Sequence, residues 1–346
     1  MRKNGNNKAE KNSEMAVIHM KEIAIHEIEN VLIGNAQDIV GGTGCTVIIC
    51  KDGAPTGIDV RGGGPASRET ALLNPLAAAE EIHAVLLSGG SAFGLDGAGG
   101  VMQYLEERDI GFETGFAKVP LVCASCLFDL MVGLPKMRPG RKMVYEACQN
   151  AEKNRPEEGN AGAGTGATVG KYHGIYSMMK SGLGIYAVQI GDLKMGAVVA
   201  VNALGDVYDM DTGEILAGML NGKQTGFANT EMAMLEDYHR KENLFTGNTT
   251  IGAVITNGRF NKTELTKIAG MAQNGLARVI RPVHTMADGD SVYAMSVGNI
   301  DADINVAGTL AAHVMAKAIN RAVLTAAPLY NLLTASTLKK ENCEKI

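Results

Sequence analysis

Apolar residues fall into two rhythms along this chain. Some form short continuous runs rich in β-branched side chains, the mark of a strand buried on both faces. Others recur every three or four positions, the mark of a helix with one buried stripe. The run Cys45–Cys50, CTVIIC, is of the first kind. Lys51-Asp52-Gly53-Ala54-Pro55 turns it and Gly57 to Arg61 continues extended, which predicts a hairpin. Ile82 to Leu87 reads as another buried strand, entering Ser88-Gly89-Gly90-Ser91 and then a helical stretch to about Glu107. Val119 to Phe128 is a further apolar run, and Arg141 to Asn154 is an amphipathic helix.

The segment Gly159 to Gly170 is dense in glycine. Two strands follow, Gly184 to Ile190 and Lys194 to Asn202, joined by a turn at Gly191-Asp192, and Asp206 to Tyr208 extends the meander. Asp211 to Asn248 is polar and irregular and reads as an exposed linker with a short helix at Glu231 to Arg240. Order then returns with the strand Thr249 to Thr256. Asn261 to Glu264 has the form of a reciprocal helix cap, and Leu265, Ile268, Met271, Ala272, Leu276 and Ile280 follow at helical spacing. Ser291 to Val297 is a strand and Ile304 to Leu324 a long helix. Strands and helices interleave in both halves, so the economical architecture is two sheets faced by helix layers, a four-layer αββα sandwich.

Composition narrows the picture. Hydrophobic residues make up 46% of the 346, enough for a sizeable core, and 43 glycines without a period point to tight turns and close backbone approaches. A net charge of −5 gives no footprint for nucleic acid or an anionic membrane. Six irregularly spaced cysteines form no disulfide framework, and Cys123-Ala-Ser-Cys126 lacks the second pair that zinc would need. The polar residues 1–15 read as a disordered tail without a signal peptide's apolar core, leaving 16–346 as one catalytic domain. No apolar stretch is long enough to span a bilayer, and a cytoplasmic location is the expectation.

The sharpest chemical feature is Gly247-Asn248-Thr249-Thr250-Ile251, where the polar linker meets a buried strand. Amide hydrolysis needs a nucleophile and a base close together. A chain broken before Thr249 supplies both in one residue: the hydroxyl attacks, and the α-amine, with a pKa of about 8, takes the proton. On these residues alone, a threonine that merely opens a strand is the more ordinary reading.

The segments GNTTIGAVITN and Arg281-Pro-Val-His-Thr-Met-Ala-Asp-Gly-Asp290 resemble the L-aminopeptidase D-amidase/D-esterase family, which also holds β-peptidyl aminopeptidases and nylon-oligomer hydrolases. The resemblance runs from about Ile25 to Ala326 and includes Arg61-Gly-Gly-Gly-Pro-Ala-Ser-Arg-Glu-Thr70, Ser88-Gly-Gly-Ser-Ala-Phe-Gly-Leu-Asp96, Val119-Pro120 with Phe128-Asp129, and Gly162-Ala-Gly-Thr-Gly-Ala167. It implies an N-terminal-nucleophile-like αββα sandwich of the aminopeptidase/ornithine acetyltransferase type. It also implies self-cleavage between Asn248 and Thr249 into fragments 1–248 and 249–346 that stay together, and homo-oligomers. Asn202 matches a residue that donates to the developing oxyanion, although an asparagine capping the turn before Gly205-Asp206 would look the same. Asp288 and Asp290 match a pair close to the nucleophile, placed to hold the α-ammonium of Thr249; a solvated turn or a divalent-ion site are the other readings. Lys171 matches a lysine that nylon-oligomer hydrolases place near the nucleophile, where a cation would lower the hydroxyl pKa; an ordinary surface lysine after a glycine loop is the other reading.

Cys126 and Phe128 depart from the family pattern, since aminopeptidase members carry a Glu and a Tyr there. Neither replacement binds a substrate amine. The expected substrates are small peptides, amino-acid amides or ω-amino-acid oligomers, with no cofactor and no metal. Two rivals remain at this point: an acyltransferase of the ornithine acetyltransferase kind, which lacks its usual Lys-Gly-Ser-Gly-Met run here, and a non-catalytic binding protein that keeps the fold. The glycine run at Gly162 is a poor dinucleotide site, because Glu157-Glu158-Gly159-Asn160 precedes it instead of a strand.

Overall fold

The continuous apolar runs become strands buried on both faces, and together they form two sheets stacked face to face. A computed structural model describes residues 20–239 and 247–338. The tail 1–15, Arg240 and Cys343 lie outside them. In chain order the first strands are β1 (Lys21–Ile23), β2 (Leu32–Asp38), β3 (Thr43–Ala54), β4 (Thr56–Val60), β5 (Ala66–Arg68) and β6 (Ile82–Ser88). Then come β7 (Val122–Cys126), β8 (Leu183–Ile190), β9 (Leu193–Asn202), β10 (Thr249–Gly258) and β11 (Ser291–Ile300). The helices are α1 (Ala98–Glu106), α2 (Arg141–Ala151), α3 (Thr230–Glu236), α4 (Lys262–Val279) and α5 (Ile304–Leu324).

A six-stranded sheet runs in the order β1-β8-β9-β10-β11-β4, and a five-stranded sheet in the order β2-β3-β6-β7-β5. Each has one parallel pair, β10 with β11 and β6 with β7. A parallel neighbour requires a crossover, and α4 and α1 supply the two. The period of two along β9 sorts its side chains between layers. Val198 and Ala200 meet Ile48, Val85, Leu87 and Leu127 of the facing sheet. Val199 and Val201 instead pack under α4 and α5, among Leu265, Ile268, Leu276 and Val314. Across the molecule Val47, Ile49 and Leu86 pack under α1 and α2 against Val101, Leu105 and Val144. The layers are therefore helix, sheet, sheet, helix, as the interleaved pattern predicts.

Local chemistry holds these elements in place. Asn261 caps α4 by accepting the Glu264 N–H at 3.0 Å, while the Glu264 carboxylate accepts the Asn261 N–H at 2.9 Å. Such a cap contributes about 1 kcal/mol. Helix α5 lies so close to β8 that a side chain at Gly184 would sit 1.9 Å from the Ala318 carbonyl oxygen. Only glycine fits there.

Three expectations are corrected. Cys45–Cys50 and Gly57–Arg61 do not pair as a hairpin: β3 belongs to the five-stranded sheet and β4 pairs with β11 in the other. Pro55 has no N–H to continue a ladder, and its carbonyl accepts the Ser296 N–H at 3.0 Å, which delivers the chain onto the second sheet. Asp206–Tyr208 does not extend the meander but pairs with Ile215–Ala217 and Ile280–Arg281 in a small separate sheet. The Asp206 carboxylate draws it there by accepting the Met219 N–H at 2.7 Å and the Thr230 hydroxyl at 2.6 Å. For the same reason the described part of Asp211–Asn248 is no simple exposed linker, since Leu216, Ala217, Met219, Leu220 and Thr230 are buried. Its helix covers Thr230–Glu236.

Candidate active site

Strand β10 opens at Thr249, directly opposite Asn202 at the end of β9. Both are buried. The residue before the junction, Gly247, has φ +65°, and a side chain there would lie 2.1 Å from the Phe128 ring. Glycine is required by both conformation and space. The peptide at Asn248 is held on each side: its N–H donates to the Ala287 carbonyl at 3.2 Å, and its carbonyl accepts the Gly289 N–H at 2.9 Å. The Thr249 hydroxyl donates to that same Asn248 carbonyl oxygen. The Asn248 carbonyl oxygen thus meets two donors, the Gly289 N–H and the Thr249 hydroxyl.

The amide side of the site is built around Asn202. Its Oδ1 accepts Lys171 Nζ at 2.7 Å, the Thr168 N–H at 3.1 Å and the Thr168 hydroxyl at 3.3 Å. Three donors on one oxygen fix which way the amide points. Its Nδ2 then donates to the Phe128 carbonyl at 2.9 Å and the Gly247 carbonyl at 3.3 Å. Lys171 also reaches the Asn202 carbonyl at 2.9 Å. Burial pushes the Lys171 ammonium down to about 7, opposed by the charges of Asp288, Asp129 and Asp290. Asp129, one residue past Phe128, is buried and raised to about 6 for the same reason, against the Thr43 hydroxyl at 2.6 Å and the Gly90 N–H at 2.7 Å.

The carboxylates form the other side. Asp288 lies beside Asn248 in a parallel bridge. It accepts the Thr285 hydroxyl at 2.6 Å and N–H at 2.9 Å, and the Leu204 N–H at 3.4 Å. Burial first, then the charge of Asp290, raises it to about 6. Asp290 accepts the Thr250 N–H at 2.7 Å, so its hydrogen bond falls one residue beyond Thr249. Its other oxygen is held by His284, through the backbone N–H at 3.2 Å and Nδ1 at 2.8 Å.

Thr249, Asn248, Asn202, Lys171, Asp288, Asp290 and Phe128 thus meet at one junction. Cys126 does not join them. Its neighbours Ser125 and Leu127 face the inter-sheet core, so its thiol points the other way, against Gly94 and Ser88, where burial raises its pKa. Thr168, His284 and the Gly289 N–H are in the site although the sequence reading passed over them. His284 stands in the quoted Arg281–Asp290 segment, and its spacing from Asp290 there was the one available signal.

The sequence profile of peptidase family S58 matches residues 24–335. The chain belongs to that family. Membership makes it a hydrolase, and the sequence relatives agree. It is 37% identical over 277 residues to an uncharacterized aminopeptidase of Mycobacterium leprae, covering 75% of this chain and 72% of the relative. It is 30% identical over 287 residues to a 6-aminohexanoate-oligomer endohydrolase of a Kocuria species, covering 81% and 77%. Among solved structures, the L-aminopeptidase D-Ala-esterase/amidase of Ochrobactrum anthropi superposes with a TM-score of 0.69 at 16% identity, and a Burkholderia β-aminopeptidase with 0.63 at 16%. Each alignment covers 92% of both chains. This S58 chain therefore has the αββα sandwich of N-terminal-nucleophile hydrolases.

Proposed function

We propose that this S58 hydrolase cuts its own chain between Asn248 and Thr249 and then uses the freed Thr249 to hydrolyse amide bonds. The observation that carries the reading is the Thr249 hydroxyl on the Asn248 carbonyl, with the Gly289 N–H at 2.9 Å on the same oxygen. In maturation the hydroxyl oxygen adds to the Asn248 carbonyl carbon, and the Gly289 N–H holds the resulting oxyanion. The C–N bond breaks, its nitrogen takes the proton, and an ester joins Asn248 to the Thr249 oxygen. Water opens that ester to a carboxylate at Asn248 and a free hydroxyl and amine at Thr249. The fragments stay together because β10 is paired on both sides, with β9 and β11.

In turnover the Thr249 hydroxyl adds to the substrate carbonyl while the α-amine accepts its proton and passes it to the leaving amine. Water then releases the acyl group. Before cleavage one Asn202 N–H holds the Gly247 carbonyl. Departure of that strand end frees the donor for the substrate oxyanion. Lys171, in contact with the oxygen side of the same amide, supplies positive potential to the oxyanion. The substrates are small peptides, amino-acid amides or ω-amino-acid oligomers, consistent with the aminopeptidase and aminohexanoate-oligomer hydrolase relatives. Phe128 in place of the family's tyrosine lines the junction with an apolar ring. Thr249→Ala is expected to leave one unbroken polypeptide by mass spectrometry and to lower amide turnover by about 10⁴-fold or more. Cleavage after Asn248 in that variant would end the proposal.

A further inference from the structure

Asp290 is 1% exposed beside the cleavage junction, and each of its oxygens has a fixed partner. Oδ1 pins the second residue of β10 through the Thr250 N–H. Oδ2 takes two donors from one residue, the backbone N–H and the Nδ1 of His284. Bringing both to one oxygen makes the backbone turn back on itself. The φ of His284 is +59°, in the left-handed region where few residues other than glycine settle, asparagine and histidine among them. Because Nδ1 faces a carboxylate it carries the hydrogen, and Nε2 is left as the ring's remaining proton site. That nitrogen is buried with no hydrogen-bond partner among the described residues.

The surrounding charges define what this pair must balance. Asp288 stands two residues before Asp290, and its carboxylate holds Thr285, next to His284. Lys171 feels both carboxylates from the Asn202 side. The Arg61 N–H donates to the Asp290 carbonyl at 3.0 Å, but its guanidinium turns away to Asp59. The guanidinium of Arg281 lies over the Tyr208 ring. His284 is therefore the one cation-capable side chain hydrogen-bonded to either carboxylate among the described residues.

We propose that His284 is a positioning residue of the hydrolytic reaction: acting through Asp290, it fixes the Thr249–Thr250 segment and supplies the donor that lets two carboxylates share the site. The inference rests on Thr249 being the freed nucleophile. Two neighbouring carboxylates repel, and a donor pair on one of them decides how the shared charge is distributed. Removing the ring removes the stronger donor and loosens the first turn of peptide behind the nucleophile.

The test compares His284→Ala and His284→Asn with the unaltered protein, measuring fragment formation by mass spectrometry and kcat and KM separately on a p-nitroanilide the unaltered protein hydrolyses. Asparagine offers a donor near the position of Nδ1 and accepts the left-handed backbone. His284→Ala should lower kcat by about tenfold to a hundredfold with little change in KM. His284→Asn should recover most of the rate. An alanine variant with the unaltered rate overturns the role of His284, as does an asparagine variant as impaired as alanine. If the unaltered protein itself forms no fragments, it is the Thr249 reading that falls.

Discussion

Two buried lysines bracket the turn that leaves the glycine-rich segment, and they hold their ammonium groups in different company. Lys180 Nζ donates to the carbonyls of Gly164 at 3.0 Å, Ala167 at 3.2 Å and Ser181. Lys171 Nζ instead meets the carbonyl and the side-chain oxygen of Asn202. Burial lowers both to about 7. Against that, Lys171 feels three carboxylates and Lys180 only Asp129. Three carbonyls match three ammonium hydrogens and leave nothing over, so Lys180 staples the loop. Lys171 is tied to Asn202, the group that faces Thr249. A depressed pKa alone does not mark chemistry; the partner does.

The largest effect that separates the two is on turnover. Lys171→Met keeps the volume but removes both the charge and the donor that orients Asn202. Turnover should fall by about a hundredfold or more, and self-cleavage should slow with it. Steady-state kinetics alongside a time course of fragment formation would read both. A Lys171→Met enzyme within a few-fold of the unaltered rate would place the two lysines in the same structural class.

How much of this was legible in the sequence depends on the distance over which each feature is decided. Periodicity located β9, β10, β11, α4 and α5, and the cap at Asn261 and Glu264 was readable because both partners lie within one turn. The hairpin failed because two apolar runs joined by a glycine turn look the same whether they pair with each other or enter different sheets. Asn202 and Thr249 could each be suspected from their places at strand ends. That they face each other is a matter of register between strands separated by residues 203–248. Gly289 acts through a backbone N–H, as does Thr168 in the shorter of its two bonds to Asn202, and every residue but proline carries that group, so no residue type announces them. Resemblance to the family puts Cys126 at the substrate pocket, and the alternation of β7 turns its side chain away.

The next effect down concerns stability. Lys180→Met strips the donor from three buried carbonyls and should destabilise the fold by about 1–3 kcal/mol, while turnover per folded molecule stays close to unaltered. The pH dependence follows from the sign of the shift. A lysine at about 7 in the fold and about 10.4 unfolded binds more protons in the unfolded chain between those values. Stability therefore climbs as pH rises through that window, and is lowest where the buried ammonium is charged. Denaturant melts of the unaltered protein at pH 7 and pH 9.5 should show the climb, and Lys180→Met should flatten its share of it. A variant with an unchanged slope would mean that the carbonyl cage holds the proton against burial.

The smallest effect gives the finest cut through the comparison. Thr168 supplies two of the three donors on Asn202 Oδ1, a backbone N–H at 3.1 Å and a hydroxyl at 3.3 Å. Thr168→Val keeps the shape and the N–H and removes only the longer bond. Lys171 still reaches the same oxygen at 2.7 Å, so the amide stays oriented and no buried acceptor is stranded. Turnover should drop by no more than about threefold, within the net contribution of one neutral hydrogen bond. If kinetics show instead a loss as deep as that of Lys171→Met, the ammonium is not what aims Asn202. Lys171 would then matter through its charge alone, and the geometric half of its distinction from Lys180 would be lost.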